Sequence, residues 1–68
     1  MTKIITELQE KIIYLLIDGK NNYETAEELD ISFGYVKKNL RQLFKKFNVS
    51  NRTQLVMAVL PIKSGNYD

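Results

Sequence analysis

Cysteine and histidine are both absent from the 68 residues. Without cysteine there is no disulfide scaffold, no thiolate zinc site and no thiol nucleophile. Without histidine the usual general base is missing, and with it any Ser-His triad and most zinc sites. No metal and no cofactor is expected. Uninterrupted apolar runs such as residues 12–17 fall far short of the roughly 20 residues a membrane span needs. Residues 1–5 carry no long apolar stretch and no small-residue cleavage pattern, so no signal peptide is expected. A chain of 7.9 kDa has room for one small domain, which buries only about 60% of its unfolded surface. Its stability is then modest, and a partner or a second copy would add to it. The expectation is a small, soluble, cytoplasmic binding domain covering residues 1–68.

Acids are also nearly missing from half of the chain. Residues 1–32 hold three lysines against seven acids, whereas residues 33–68 hold seven cations against Asp68 alone. The formal net charge of +2 therefore conceals a molecule polarised from −4 to +6. A one-sided field attracts and orients a polyanion. The bland alternative is an ordinary solvated lysine face. An enzyme is not expected. Glu24, Glu27 and Glu28 cluster on one short helical stretch, with no second carboxylate group to face them across a cleft.

What is present is helical periodicity, predicting an all-α fold of four helices at about residues 6–18, 23–29, 33–47 and 52–60. Thr6-Glu7-Leu8-Gln9 has the capping-box form. Leu8, Ile12, Leu15 and Leu16 then share one apolar face, widened by Ile13 and Ile17. Gly19 suits a left-handed helix end. Asn21 or Asn22 caps the second helix, whose inward residues are Ala26 and Leu29. Residues 30–32 make a short break, with Ile31 dropping towards the core and Ser32 capping the third helix. Asn48 can end that helix in the left-handed conformation. Ser50 or Asn51 caps the fourth, and Pro61 is expected to stop it. The tail from residue 62 is expected to fray.

The third helix is the most informative. With Val36 at 0° and about 100° per residue, Val36, Leu40, Leu43, Phe44 and Phe47 fall within an arc of about 100°. Lys37, Lys38, Arg41 and Lys45 occupy the adjacent arc, and no acid lies on the helix. Tyr35, Asn39 and Gln42 fill the polar remainder. A short helix, a tight turn and a longer basic helix form a helix-turn-helix. Ala26 supplies the small residue at the helix approach, and Val36 the branched apolar residue ten positions later. A helix about 10–12 Å wide fits a major groove of about 12 Å, where cations on its outer face can reach guanine edges and phosphates.

These residues resemble a known family. The segments Ile5-Thr6, Gly19-Lys20-Asn21-Asn22-Tyr23-Glu24-Thr25-Ala26, Leu29-Asp30-Ile31-Ser32 and Val36-Lys37 are similar to the LuxR/FixJ (GerE-like) DNA-binding domain. The stretch Lys46-Phe47-Asn48-Val49-Ser50-Asn51-Arg52-Thr53-Gln54 resembles that family's K-L-x-V-x-N-R-T-Q segment and is the most specific part. The likeness covers residues 5 to about 60. It implies a four-helix domain that binds double-stranded DNA as a homodimer and regulates transcription. The third helix would be the reader and the fourth the dimer contact. The chain departs from the pattern at four places. Leu8-Gln9 stands where a basic-acidic pair is usual, Tyr35 where a threonine is, Asn39 where a histidine is, and Gly34 opens the reading helix. A sensing domain usually precedes this region in the family, and a stand-alone member is expected here.

Candidate roles follow. Lys37, Lys38 and Arg41 are the base contacts, with phosphate or water contacts as the competing reading. Arg41 can pair bidentately with guanine. Backbone contacts are assigned to Asn22, Tyr23, Tyr35, Lys45, Arg52 and Thr53, and Lys46 to phosphate or solvent. Plain capping competes for Asn22, and capping with packing for Arg52 and Thr53. Phe33, Phe44, Phe47 and Tyr14 are expected in the core or at its rim. The fourth helix has too many apolar residues for one face, so Val56, Met57 and Leu60 are the dimer-interface candidates. The competing arrangement folds the tail through Ile62 and Tyr67 over them. The rival function is a protein-interaction module that binds RNA polymerase or a second regulator without reading DNA. The region-four domain of sigma factors has a similar architecture.

Overall fold

The computed structural model describes residues 5–63, with side chains through Leu60. Four helices follow in order: α1 Glu7–Ile17, α2 Asn22–Leu29, α3 Phe33–Phe47 and α4 Arg52–Lys63. The described residues contain no strand, and the all-α expectation holds. Of the tail expected to fray from residue 62, Ile62 and Lys63 belong to α4 instead; residues 64–68, and the packing of the Ile62 and Tyr67 side chains over α4, lie outside the described residues.

Each helix begins on a side chain that satisfies its exposed N–H groups. Thr6 Oγ1 accepts from the Gln9 N–H at 3.0 Å, and Gln9 Oε1 accepts from the Thr6 N–H at 3.2 Å. Asn21 and Glu24 make a second reciprocal box, at 2.8 and 2.9 Å. α2 therefore starts at Asn22, one residue before the expected Tyr23. Ser32 Oγ accepts from the Tyr35 N–H at 3.0 Å, and Asn51 Oδ1 from the Gln54 N–H at 2.9 Å. Each such cap contributes about 1 kcal/mol.

Three helix ends close in one way. Gly19, Asp30 and Asn48 have positive φ of 90°, 58° and 56°. The next residue in each case donates back across the last turn: Lys20 to Leu15, Ile31 to Ala26 and Val49 to Phe44, at 2.9–3.0 Å. This left-handed closure satisfies carbonyls that the helix leaves without partners. Asp30 is thus a helix stop and not merely part of a break. Thr6 and Asp18 are caps, so α1 is shorter than 6–18.

α3 packs against all three other helices, and α1 also packs against α2 and α4. The core comprises Ile12, Ile13 and Leu16 of α1, Ala26 of α2, Val36, Leu40 and Leu43 of α3, and Leu55 and Val59 of α4. Ile31, Phe44 and Phe47 lean on it from the side. Burying an aliphatic side chain of this size contributes about 1.5–3 kcal/mol before entropy is counted.

Four expectations need correction. The buried stripe of α1 is Gln9, Ile12, Ile13 and Leu16, rotated from the expected Leu8, Ile12, Leu15, Leu16, and Leu15 is only half-buried. Asn39, expected on the polar side of α3, is buried. The same network explains both. Gln9 Nε2 donates to Asn39 Oδ1 at 3.2 Å and to Gln42 Oε1 at 2.8 Å, while Asn39 Nδ2 donates to the Tyr35 carbonyl at 2.9 Å. A buried amide is tolerated when its donors and acceptors are satisfied. Among the described residues no buried side-chain polar atom lacks a partner. In α2 Ala26 and Leu29 do face inward, Leu29 partly buried against the core, but Thr25 is buried beside them and was not expected there. Finally, Pro61 does not end α4, which runs on to Lys63. Proline's fixed φ is helix-compatible, and in a last turn the missing N–H forfeits a single bond. Tyr14 lies at the rim and donates to Glu10 at 3.1 Å, and that bond and the carboxylate charge raise its pKa above the ordinary value.

Candidate nucleic-acid interface

Burial of Val36, Leu40 and Leu43 fixes the rotation of α3 and turns the adjacent arc outward. Lys37, Lys38, Arg41 and Lys45 are all exposed there. None of the four is paired with an acid among the described residues. The stripe therefore keeps its full positive charge towards solvent. Lys46 behaves differently. Its Nζ donates to Gln9 Oε1 at 2.7 Å, so this cation belongs to the α1–α3 contact and not to the outer stripe. The assignment of Lys46 to phosphate or solvent is corrected accordingly.

Lys37 and Arg41 stand one turn apart and line an open concavity of about 330 Å³. Leu40 and Phe44 also line it, and Asn22 of α2 and Arg52 of α4 contribute further. Four of the candidate contact residues are thus brought together from three helices. The Arg52 guanidinium donates through Nη1 to Asn22 Oδ1 at 3.1 Å and through Nη2 to the Lys20 carbonyl. Among the described residues α2 and α4 do not otherwise pack on each other. The Arg52 side chain is the tie between their N-termini. Its burial lowers the guanidinium pKa below the ordinary value, but an arginine stays charged. That charge favours an anion at the rim of the concavity, while the α2 N-terminus itself already holds the Glu24 carboxylate on the Asn21 N–H.

The remaining candidates are spread out. Tyr23 is 69% exposed and its ring stacks on Phe33. Lys38 and Lys45 are exposed on the stripe but do not line the concavity. Tyr35 is exposed, yet it lies about 100° to the opposite side of Val36 from Lys37. Thr53 is exposed at the start of α4. Of the three dimer candidates, Met57 is 66% and Leu60 37% exposed, whereas Val56 is half-buried against the core. Leu55 and Val59 fill the inward face of α4.

Two features of the site were not singled out from the sequence. Phe33, expected in the core or at its rim, also carries the ring over which Lys37 sits, 5.5 Å from Nζ to centroid. The i, i+4 spacing of Phe33 and Lys37 was the available signal. The Arg52–Asn22 contact had no local signal, since its partners are 30 residues apart. Among the described residues no group of acids could hold a metal, and no helix is long and apolar enough to cross a membrane.

Comparison with known proteins identifies the family. The family described as bacterial regulatory proteins, luxR family, matches residues 3–59. The monoamine regulon transcriptional regulator of Klebsiella aerogenes is 42% identical over 53 residues, which are 78% of this chain and 23% of that protein. Two proteins of Bacillus subtilis are also similar. The transcriptional regulatory protein LiaR is 38% identical over 74% of this chain and 24% of its own length. The transcriptional regulatory protein DesR is 33% identical over 76% of this chain and 26% of its own. The chain therefore spans about a quarter of the length of these relatives. No solved structure gives a significant match. The four capped helices, the basic outer face of α3 and the match over residues 3–59 lead to one assignment: the chain belongs to the luxR family of bacterial regulatory proteins.

Proposed function

We propose that this chain is a sequence-specific double-stranded-DNA-binding regulator of transcription, acting in the cytoplasm as a homodimer. One observation carries the proposal. The outer face of α3 holds four exposed cations that are not paired with acids. A solvated helix normally mixes acids among its bases, and here none is present. The relatives, named as transcriptional regulators, support the same reading.

In this reading α3 enters the major groove of one half-site. Lys37, Lys38 and Arg41 meet base edges, and Arg41 supplies the bidentate contact to guanine. Asn22, Tyr23, Tyr35, Lys45 and Thr53 meet the sugar-phosphate backbone, which sets register. Arg52 holds the α2 N-terminus in place and lends its charge to the same phosphate. Met57 and Leu60, with Val56 beneath them, form the contact with a second copy. Two half-sites about one helical turn apart then form an imperfect palindrome.

The second reading is a module that binds RNA polymerase or another regulator without reading DNA. It is favoured by the exposed acids of α1 and α2: Glu7, Glu10, Glu24, Glu27 and Glu28. Selection of bound duplexes from a random pool at moderate salt separates the two. DNA readout yields a motif with two-fold symmetry. It also gives a log–log salt slope near −0.9 per neutralised phosphate. An unenriched pool with a shallow slope would overturn the DNA reading in favour of the protein module.

A further inference from the structure

Phe33 is the first residue of α3 and is half-buried. Its ring stacks on that of Tyr23 at the start of α2, with centroids 4.2 Å apart and planes 15° from parallel. One turn further along α3, Lys37 holds its Nζ 5.5 Å from the centroid of the same ring. Three side chains from two helices thus meet at one aromatic ring. The other cations of the stripe, Lys38, Arg41 and Lys45, have no such ring among the described residues.

We propose that Phe33 is a positioning residue for DNA readout: its ring, seated against Tyr23, aims the Lys37 ammonium into the groove. The proposal rests on the DNA-binding reading above and adds to it a residue that makes no base or phosphate contact of its own. The physical reason is conformational. A lysine in solvent spreads over many rotamers, and ordering them on contact opposes binding. The negative face of an aromatic ring attracts the ammonium within about 6 Å. Lys37 is therefore narrowed towards one direction before DNA arrives. Tyr23 contributes twice. Its ring limits the motion of Phe33, and its largely exposed remainder points to solvent beside the α2 N-terminus, where a phosphate would lie. The stack thereby ties a base contact on α3 to a backbone contact on α2.

The test compares the parent with Phe33→Leu, Phe33→Tyr, Lys37→Ala and the double variant Phe33→Leu/Lys37→Ala, all in the full chain. Without DNA, NMR should show ring-current-shifted ε-methylene protons of Lys37. The shift should disappear in Phe33→Leu and persist in Phe33→Tyr. On the duplex selected by the parent, Phe33→Leu should bind about two- to fivefold more weakly, the range expected for an exposed cation–π contact. Its lost discrimination should fall at the same base pair as that of Lys37→Ala, and the double variant should bind no more weakly than Lys37→Ala alone. Phe33→Tyr should restore affinity and discrimination together. A merely destabilising change would instead weaken all base positions alike. Such uniform weakening, full additivity in the double variant, or an unshifted Lys37 in the parent would each overturn the proposal. A parent that selects no duplex overturns the DNA reading and this proposal with it. The Lys37 shift then still reports whether the stack forms, so the two failures are distinguishable.

Discussion

Lys46 Nζ donates to Gln9 Oε1 at 2.7 Å, and this bond turns one cation of α3 away from the outer stripe and against α1. The same oxygen accepts from the Thr6 N–H, so a single amide both completes the α1 cap and receives the lysine. Its nitrogen donates to Asn39 and Gln42. Gln9 therefore sets how α1 lies along α3.

Replacing that amide tests the arrangement. Gln9→Leu leaves the buried Asn39 oxygen and the Lys46 ammonium without their partner. The expected loss is about 1–3 kcal/mol, the usual cost of an unsatisfied buried polar group. It should appear as a lower urea midpoint with an unchanged slope. Gln9→Glu keeps an acceptor for Lys46 but loses both donors, and should fall between the two. Equal midpoints for all three proteins would show that the network contributes nothing.

Arg52 ties the start of α4 to the start of α2 through a planar fork. Lysine cannot reproduce that fork, so Arg52→Lys should lose about 1–2 kcal/mol, nearly as much as Arg52→Ala. Hydrogen exchange should quicken at the amides of residues 22–24 in both variants. If the lysine variant exchanged as slowly as the parent, charge and not fork geometry would be holding the loop.

Gly34 lies inside α3, and a Cβ built there meets nothing within 4 Å. Gly34→Ala should raise stability by up to about 1 kcal/mol, because alanine loses less backbone entropy in a helix. In the proposed DNA-binding reading a glycine at this place lets the α3 backbone approach the duplex closely, so the added methyl should weaken binding to the selected duplex. A higher Tm with unchanged affinity would remove that close approach.

Arg41→Ala should cost about 1–3 kcal/mol of binding and relax preference at one base position. The decisive quantity is the ratio of affinities for the selected and a scrambled duplex. If that ratio stayed at the parent's value, Arg41 would be a phosphate contact and not a reader.

Met57→Glu and Leu60→Glu place a charge on the exposed face of α4, which the homodimer would bury. Sedimentation should show a fall from dimer to monomer mass, with helix content retained by circular dichroism. An unchanged mass would take α4 out of the interface.

The helix ends were legible because each is written in a few neighbouring residues. Thr6 with Gln9, Ser32 before Phe33, and Gly19 and Asn48 after their helices need no distant partner to act. The basic stripe was equally legible, since the helical period alone sorts Lys37, Lys38, Arg41 and Lys45 onto one side of α3. The buried amides were not. Gln9 and Asn39 are 30 residues apart, and either would be read alone as a surface residue. Lys46 reads as an outward cation for the same reason, its acceptor being 37 residues away. Pro61 departs in the opposite sense, because a proline that breaks a helix interior is accommodated in the last turn of α4.

By itself the amino-acid order determined where α1, α2 and α3 start and stop to within a residue, which face of α3 is apolar and which is cationic, and the family likeness. These depend on backbone hydrogen bonds and side-chain periodicity within one or two turns. Only the tertiary structure decided which polar groups are inside, that Arg52 and Asn22 meet, and that Phe33 lies between Tyr23 and Lys37 in one cluster. The Arg52–Asn22 and Tyr23–Phe33 pairings join residues from different helices. A polar side chain is stable in the interior only where another helix brings it a partner, and no local pattern records which helix that will be.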